Sequence, residues 1–124
     1  MKLLVLDVID GNGLYEIEVP QEHSLDVFYE NLKCDIFDIA SRKIEGKWFD
    51  IFCDDCGLFV DNPITSAIVN NQPGLVGNLI FAHHDAEGNT TGLTDEDIAL
   101  IKRNTVSMVN IQTGNVWEAV SCTI

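Results

Sequence analysis

The chain has 124 residues, 46% of them hydrophobic, with twenty Asp and Glu against seven Lys and Arg for a formal net charge of −13. That is the length of one domain, long enough to build a core without staples. Such a charge repels phosphate backbones and anionic lipids, which disfavours direct binding of nucleic acid or membrane, and it attracts partners with a basic surface. The acids are spread along the whole chain, as on a folded surface rather than a disordered tail.

The opening MKLLVLDVIDGNG carries Asp7 and Asp10 inside its apolar run and no small-residue cleavage site, so it does not read as a signal peptide. No apolar stretch approaches the length of a membrane span. The expectation is a cytoplasmic protein with reduced thiols, in which Cys34, Cys53, Cys56 and Cys122 are metal ligands or small buried hydrophobes before they are disulfides.

In chain order, residues 2–9 predict a strand. Gly11-Asn12-Gly13 makes a turn into a second, LYEIEV, in which Leu14, Glu16 and Glu18 alternate with Tyr15, Ile17 and Val19. Pro20 ends it. Ser24 stands where a helix would be capped, followed by an apolar stripe of Leu25, Phe28, Tyr29 and Leu32. Residues 34–41 and 47–54 predict strands joined as a hairpin through Glu45-Gly46. Residues 61–71 fit either a short helix from Pro63 or a loop. A buried strand lies within 76–83, and DAEGNTTG is a loop. Thr94 opens a second helix with Asp97 completing a capping box, Asp95 and Glu96 at its positive end and Lys102 and Arg103 at its negative end. Two more strands, 105–111 and 115–123, meet at Thr113-Gly114-Asn115. With no repeat and no linker, residues 1–124 predict a single α+β domain: a mainly antiparallel sheet of about six strands, with two or three helices packed on one side.

The stretch FDIFCDDCGLF raises the question of chemistry. In the strand 47–54, Phe49, Ile51 and Cys53 share one face, so Cys53 is expected in the core, with Cys56 in a turn before Gly57. A strand end followed by a turn suits a two-thiolate zinc clip. Four ligands are needed, and no second CxxC or HxxxH supplies them. A Zn²⁺ site would draw on Cys53, Cys56, Cys34 and His83, the histidine that continues the buried strand, with Cys122, His84, Asp54 and Asp55 as further candidates. The simpler alternative is one core thiol and one turn thiol. A redox pair is disfavoured because no helix begins at the CxxC to lower a thiol pKa. His83-His84-Asp85 lacks the local motif of a Cys–His catalytic pair.

The segments LDVFYENLKC, DIASRKIEGKWFDIFCDDCGLFVDNP, LVGNLIF and LTDEDI, over roughly residues 14–104, together resemble a family of small uncharacterised proteins carried by phages, plasmids and conjugative elements of Firmicutes. Its motifs are scaffold-like and name no reaction. The pattern keeps Asp54, Gly57 and Leu58 and does not require the CxxC, so zinc is not implied by the resemblance. What it implies is an anti-defence role, with an anti-CRISPR inhibitor of the host's Cas9, whose nucleic-acid channels are basic, as the analogy. The expected function is a non-enzymatic inhibitor that covers a basic surface of such a complex. Asp50, Asp54, Asp55, Asp61, Asp85, Glu87, Asp95 and Glu96 are the candidate contacts. Two alternatives stand beside it: a module that binds a small ligand such as a signalling nucleotide, which would need more cationic groups, and a metal-assisted hydrolase around the thiols and histidines.

Overall fold

The computed structural model describes residues 1–22, 24–60 and 62–124. Among these, ten strands and two helices follow one another in the order β1 (Lys2–Asp7), β2 (Gly13–Glu18), α1 (Leu25–Leu32), β3 (Phe37–Ile44), β4 (Lys47–Asp54), β5 (Thr65–Val69), β6 (Gln72–Val76), β7 (Leu79–His84), β8 (Thr90–Thr91), α2 (Asp95–Lys102), β9 (Thr105–Val109) and β10 (Val116–Cys122). A 3-10 turn, Gly57–Phe59, follows β4.

The strands divide between two sheets. The larger runs β2-β1-β7-β4-β3, with the short β8 added to the end of β7; the smaller runs β6-β5-β10-β9. All pairs are antiparallel except β5–β10. The expected α+β class and mainly antiparallel pairing hold, but the single sheet of about six strands becomes ten strands in two sheets. The helices also part company. On the larger sheet, Leu3, Val5, Phe52, Ile80 and Ala82 face α1, which contributes Phe28 and Leu32. The opposite face presents Leu4, Leu6, Phe49, Ile51, Cys53, Leu79 and Phe81 to the smaller sheet and to Ile98 and Ile101 of α2. This explains why β1 and β7 read as unbroken apolar runs: a strand covered on both faces buries successive residues.

The two sheets are tied at one place by a bridge between Lys43 and Thr123, each donating its N–H to the other's carbonyl at 2.7 and 2.8 Å. The β3–β4 hairpin turns through Glu45 and Gly46, both at positive φ (52° and 79°), the type I′ signature. Residues 61–71, expected as helix or loop, instead contain β5, and Asn70-Asn71 at φ 52° and 65° turn it back into β6. Asn tolerates this conformation where most residues do not.

The motifs singled out in the sequence are structural. In VGNLIF, Asn78 is buried; its Oδ1 accepts from Val8 and Ile9 N–H at 2.9 and 3.1 Å and its Nδ2 donates to Asn31 O at 2.9 Å, joining β1 to the end of α1. In LTDEDI, Thr94 Oγ1 accepts from Asp97 N–H and Asp97 returns the bond to Thr94 N–H, a complete capping box. Gly57 is pressed on its neighbours: a Cβ there would come 2.9 Å from Val76 Cγ2. Ser24 occupies the N-cap position of α1, but its side chain makes no capping bond.

Candidate functional site

The end of β4 and the start of β3 form a corner. The ladder closes at Phe37–Asp54, and one further bond, Asp55 N–H to Ile36 O at 3.0 Å, continues it. Asp54 Oδ1 accepts from Cys56 N–H at 2.9 Å, and Phe59 N–H donates to Cys56 O at 3.0 Å, curling the chain into the 3-10 turn. Behind the corner sits an aromatic cluster, with Phe28 4.7 Å from Phe52, Phe37 5.5 Å from Phe52 and Tyr29 5.2 Å from Phe37, centroid to centroid. The corner is thus a surface feature on a packed base.

What it displays is unusual. Leu58 is 74% exposed and Phe59 87%, with Val60 and Ile36 each more than half exposed. Asp35, Asp38 and Asp55 are exposed around them and Asp54 is half-buried. None of these four acids belongs to an ion pair among the described residues. Scattered single apolar residues are normal on a surface, whereas here three consecutive ones stand beside acids that have no ion-pair partner among the described residues.

The other candidate acids lie elsewhere, and several are already engaged. Asp50 is four residues from Asp54, about 13 Å along the strand, and its Oδ2 meets His84 Nδ1 at 2.7 Å. Asp85 accepts from the N–H groups of Glu87 and Asn89 at 3.0 and 2.9 Å, which holds it ionised below the usual carboxylate range, while Glu87 is exposed. Asp95 pairs with Lys2 at 2.5 Å, and its pKa is lowered by that partner. Glu96 is exposed beside it at the start of α2. Asp61 lies outside the described residues. Of the seven that lie among the described residues, Asp54 and Asp55 share the corner with exposed apolar side chains.

The proposed zinc ligands fall on different faces. Cys53 is buried between the sheets, its Sγ donating to Asp38 O at 3.7 Å, and burial, reinforced by Asp38, pushes its pKa up to about 11. Cys34 packs on the α1 side of the same sheet and is likewise raised to about 11, by burial first and then by Asp54 and Asp35. Cys56 is exposed. His83 stands at the far end: β4 and β7 are antiparallel with Cys53 opposite Leu79, so four more residues along β7 carry His83 about 13 Å away. Among the described residues, no group of three or more His, Cys, Asp or Glu is arranged to hold a metal ion.

His83 has a different partner, which sequence reasoning missed. Its Nε2 lies 3.0 Å from Asp97 Oδ2, its ring stacks on Phe49 at 4.8 Å, and Lys47 reaches the other Asp97 oxygen. Asp97 is 1% exposed. Burial alone would raise its pKa; Lys47, both bonds to Thr94 and His83 outweigh this and bring it down to about 2. At the end of β7, His83 and His84 line an open cleft of about 460 Å³ with Asp50, Trp48 and Ser41. Ser41 stands opposite Asp50 in the ladder, so the order across the sheet is serine, aspartate, histidine, with the carboxylate between the other two.

The chain belongs to the family described as domain of unknown function DUF3846, whose model matches residues 1–105. That agrees with the resemblance to a small uncharacterised family and assigns no activity. No curated protein and no solved structure matches the chain. Among the described residues, no helix is long and apolar enough to cross a membrane.

Proposed function

We propose that this protein is a non-enzymatic binding module for a basic protein surface, and that the corner formed by residues 34–38 and 54–60 is its contact site. The observation that carries the proposal is the juxtaposition of Asp54 and Asp55, which have no cationic partner among the described residues, with the exposed Leu58-Phe59-Val60 run. Apolar anchors inside a polar rim are the usual anatomy of a protein interface. The anchors supply burial energy, on the order of 1.5–3 kcal/mol for a side chain such as phenylalanine. The acids steer a basic partner in and reject acidic ones.

The partner class is a nucleic-acid-handling protein, whose phosphate-binding channel is necessarily basic and which an acidic protein can cover in place of nucleic acid. Anti-defence inhibition of Cas9 is the particular case that the mobile-element resemblance suggests. The test is a pulldown with the tagged protein from a lysate containing Cas9, scored for Cas9 by name, with the Phe59→Ala and Asp54→Asn/Asp55→Asn variants alongside. Retention of Cas9 by the native protein and its loss with the variants supports the proposal; equal retention by all three rejects the corner.

A small-ligand module remains the second reading. It rests on two clefts of about 650 and 710 Å³ that share Val8, Gly11, Val116 and Trp117, both in the size range of ligand sites. Lys102 is the one cation among their lining residues, which suits a neutral polar ligand better than a nucleotide.

A further inference from the structure

The four outer strands of the two sheets differ sharply in how they meet solvent. An edge strand presents unpaired N–H and C=O groups, and proteins blunt such edges with charge, proline, bulges or shortness. In the larger sheet, β2 carries Glu16 and Glu18, and β3 carries Asp38, Arg42 and Lys43 and is bridged to Thr123. The added β8 is only two residues long. In the smaller sheet, β6 contains Pro73 and pairs with β5 through irregular register. The remaining edge, β9, has none of these devices. It reads TVSMV and, among the described residues, pairs with β10 alone.

The surroundings of β9 carry little charge, Glu118 opposite Ser107 being the acid on its partner strand. Charged residues make up 22% of the chain, yet none occurs from Asn104 to Trp117. In their place the hairpin exposes Val109 at 60%, Val116 at 67% and Ile111 at 95%, with Val106 also exposed. From Val106 onward this segment lies beyond the residues matched by the family domain.

We infer that β9 pairs with β9 of a second copy of this chain, antiparallel about a two-fold axis through Ser107, joining two four-stranded sheets into one of eight. Charge selects the occupant. Two chains of −13 repel over most of their surfaces, and the uncharged run of residues 104–117 is the face on which they approach with the fewest like charges opposed, Glu118 on β10 being its nearest acid. The strand is also its own complement. About Ser107, Thr105 falls opposite Val109 of the second copy and Val106 opposite Met108, so each cross-strand pair joins β-branched or apolar residues and none sets like charges face to face. A strand from a basic protein would find no acid on β9 itself, and only Glu118 on the neighbouring strand.

The proposal predicts a salt dependence opposite to that of the acidic corner: screening relieves repulsion between copies, so dimerisation tightens as ionic strength rises. Sedimentation velocity across a dilution series, at low and high salt, is the test. The expected result is a species of twice 13.8 kDa that dissociates on dilution and is favoured by salt. The double variant Val106→Lys/Val109→Lys, at exposed positions, should remain monomeric while keeping its far-ultraviolet circular dichroism and melting temperature. Hydrogen exchange at amides 105–109 gives a second measurement, protected in concentrated native protein and released on dilution. A native chain that stays monomeric throughout the series overturns the inference. So does a dimer that persists in a folded lysine variant, since its contact would then lie elsewhere.

Discussion

His83 Nε2 stands 3.0 Å from Asp97 Oδ2, so the histidine that the sequence offers as a zinc ligand partners a helix cap. Three groups converge on one buried carboxylate, the Thr94 backbone N–H, the Lys47 ammonium and the His83 ring, and the Thr94 hydroxyl in turn accepts from the Asp97 backbone N–H. The cap thereby fastens α2 to β4 and β7. Thr94→Ala should cost about 0.5–2 kcal/mol, the usual range for a lost N-cap. Ser24→Ala should cost much less, because the Ser24 hydroxyl makes no capping bond. Thermal melts of the two variants side by side check this, and equal losses would contradict the asymmetry.

The same carboxylate sets a pH dependence. The folded-state pKa of Asp97, about 2, lies below its ordinary value of 3.8. A depressed carboxylate contributes stability that is complete above the unfolded value and is lost as pH falls through the folded one. The contribution of Asp97 should therefore be intact at pH 5 and above and drain away between about pH 4 and pH 2. Denaturant melts of the native protein and of Asp97→Asn, compared across that range, should converge at the acid end; a gap that stays constant from neutral pH to acid would argue against the linkage.

The thiols should separate by exposure. Cys56 should react with a maleimide in the folded protein at neutral pH, while Cys53, buried with its pKa raised to about 11, should label only on unfolding. Because Cys53 and His83 sit on other parts of the sheet from Cys34 and Cys56, Cys53→Ala and His83→Ala should leave the zinc content of purified protein unchanged. Mass spectrometry of labelled peptides and elemental analysis read the two outcomes.

The sequence showed most clearly those features whose cause is local. The Glu45-Gly46 turn, the Thr94–Asp97 capping box and the burial of Cys53 by strand alternation all depend on residues within a few positions of each other. β5 and β6 were not recognised because Pro63 invites a helix start and Asn70-Asn71 is a weaker hairpin signal than Asn-Gly, although the β-branched stretch TSAIV before it was a clue. The acidic site was only half legible for a different reason. Asp95 is neutralised by Lys2, 93 residues away, and Asp50 is held by His84, 34 residues away, and pattern reading has no access to such distances. The register of β4 against β7, which sends His83 away from Cys53, is likewise a tertiary fact.

At the corner, charge and apolar surface should act on different rate constants. Asp54→Asn/Asp55→Asn should slow association with a basic partner and flatten its salt dependence, since exposed charges act mainly on encounter. Phe59→Ala should leave association nearly unchanged and speed dissociation, weakening binding by about tenfold or more if the ring is a central anchor. All three side chains are exposed or half-buried, so the melts of these variants should match that of the native protein.

The central claim is that the acidic corner covers a basic, nucleic-acid-binding surface. Its most direct test is interferometry with the immobilised protein and purified guide-loaded Cas9, at low and high salt, with and without target DNA. The account predicts binding that weakens as salt rises, is excluded by prior binding of target DNA, and is lost in the Asp54→Asn/Asp55→Asn/Phe59→Ala triple variant. Absence of binding at low salt contradicts Cas9 as the partner, and binding undiminished in the folded triple variant contradicts the corner as the site.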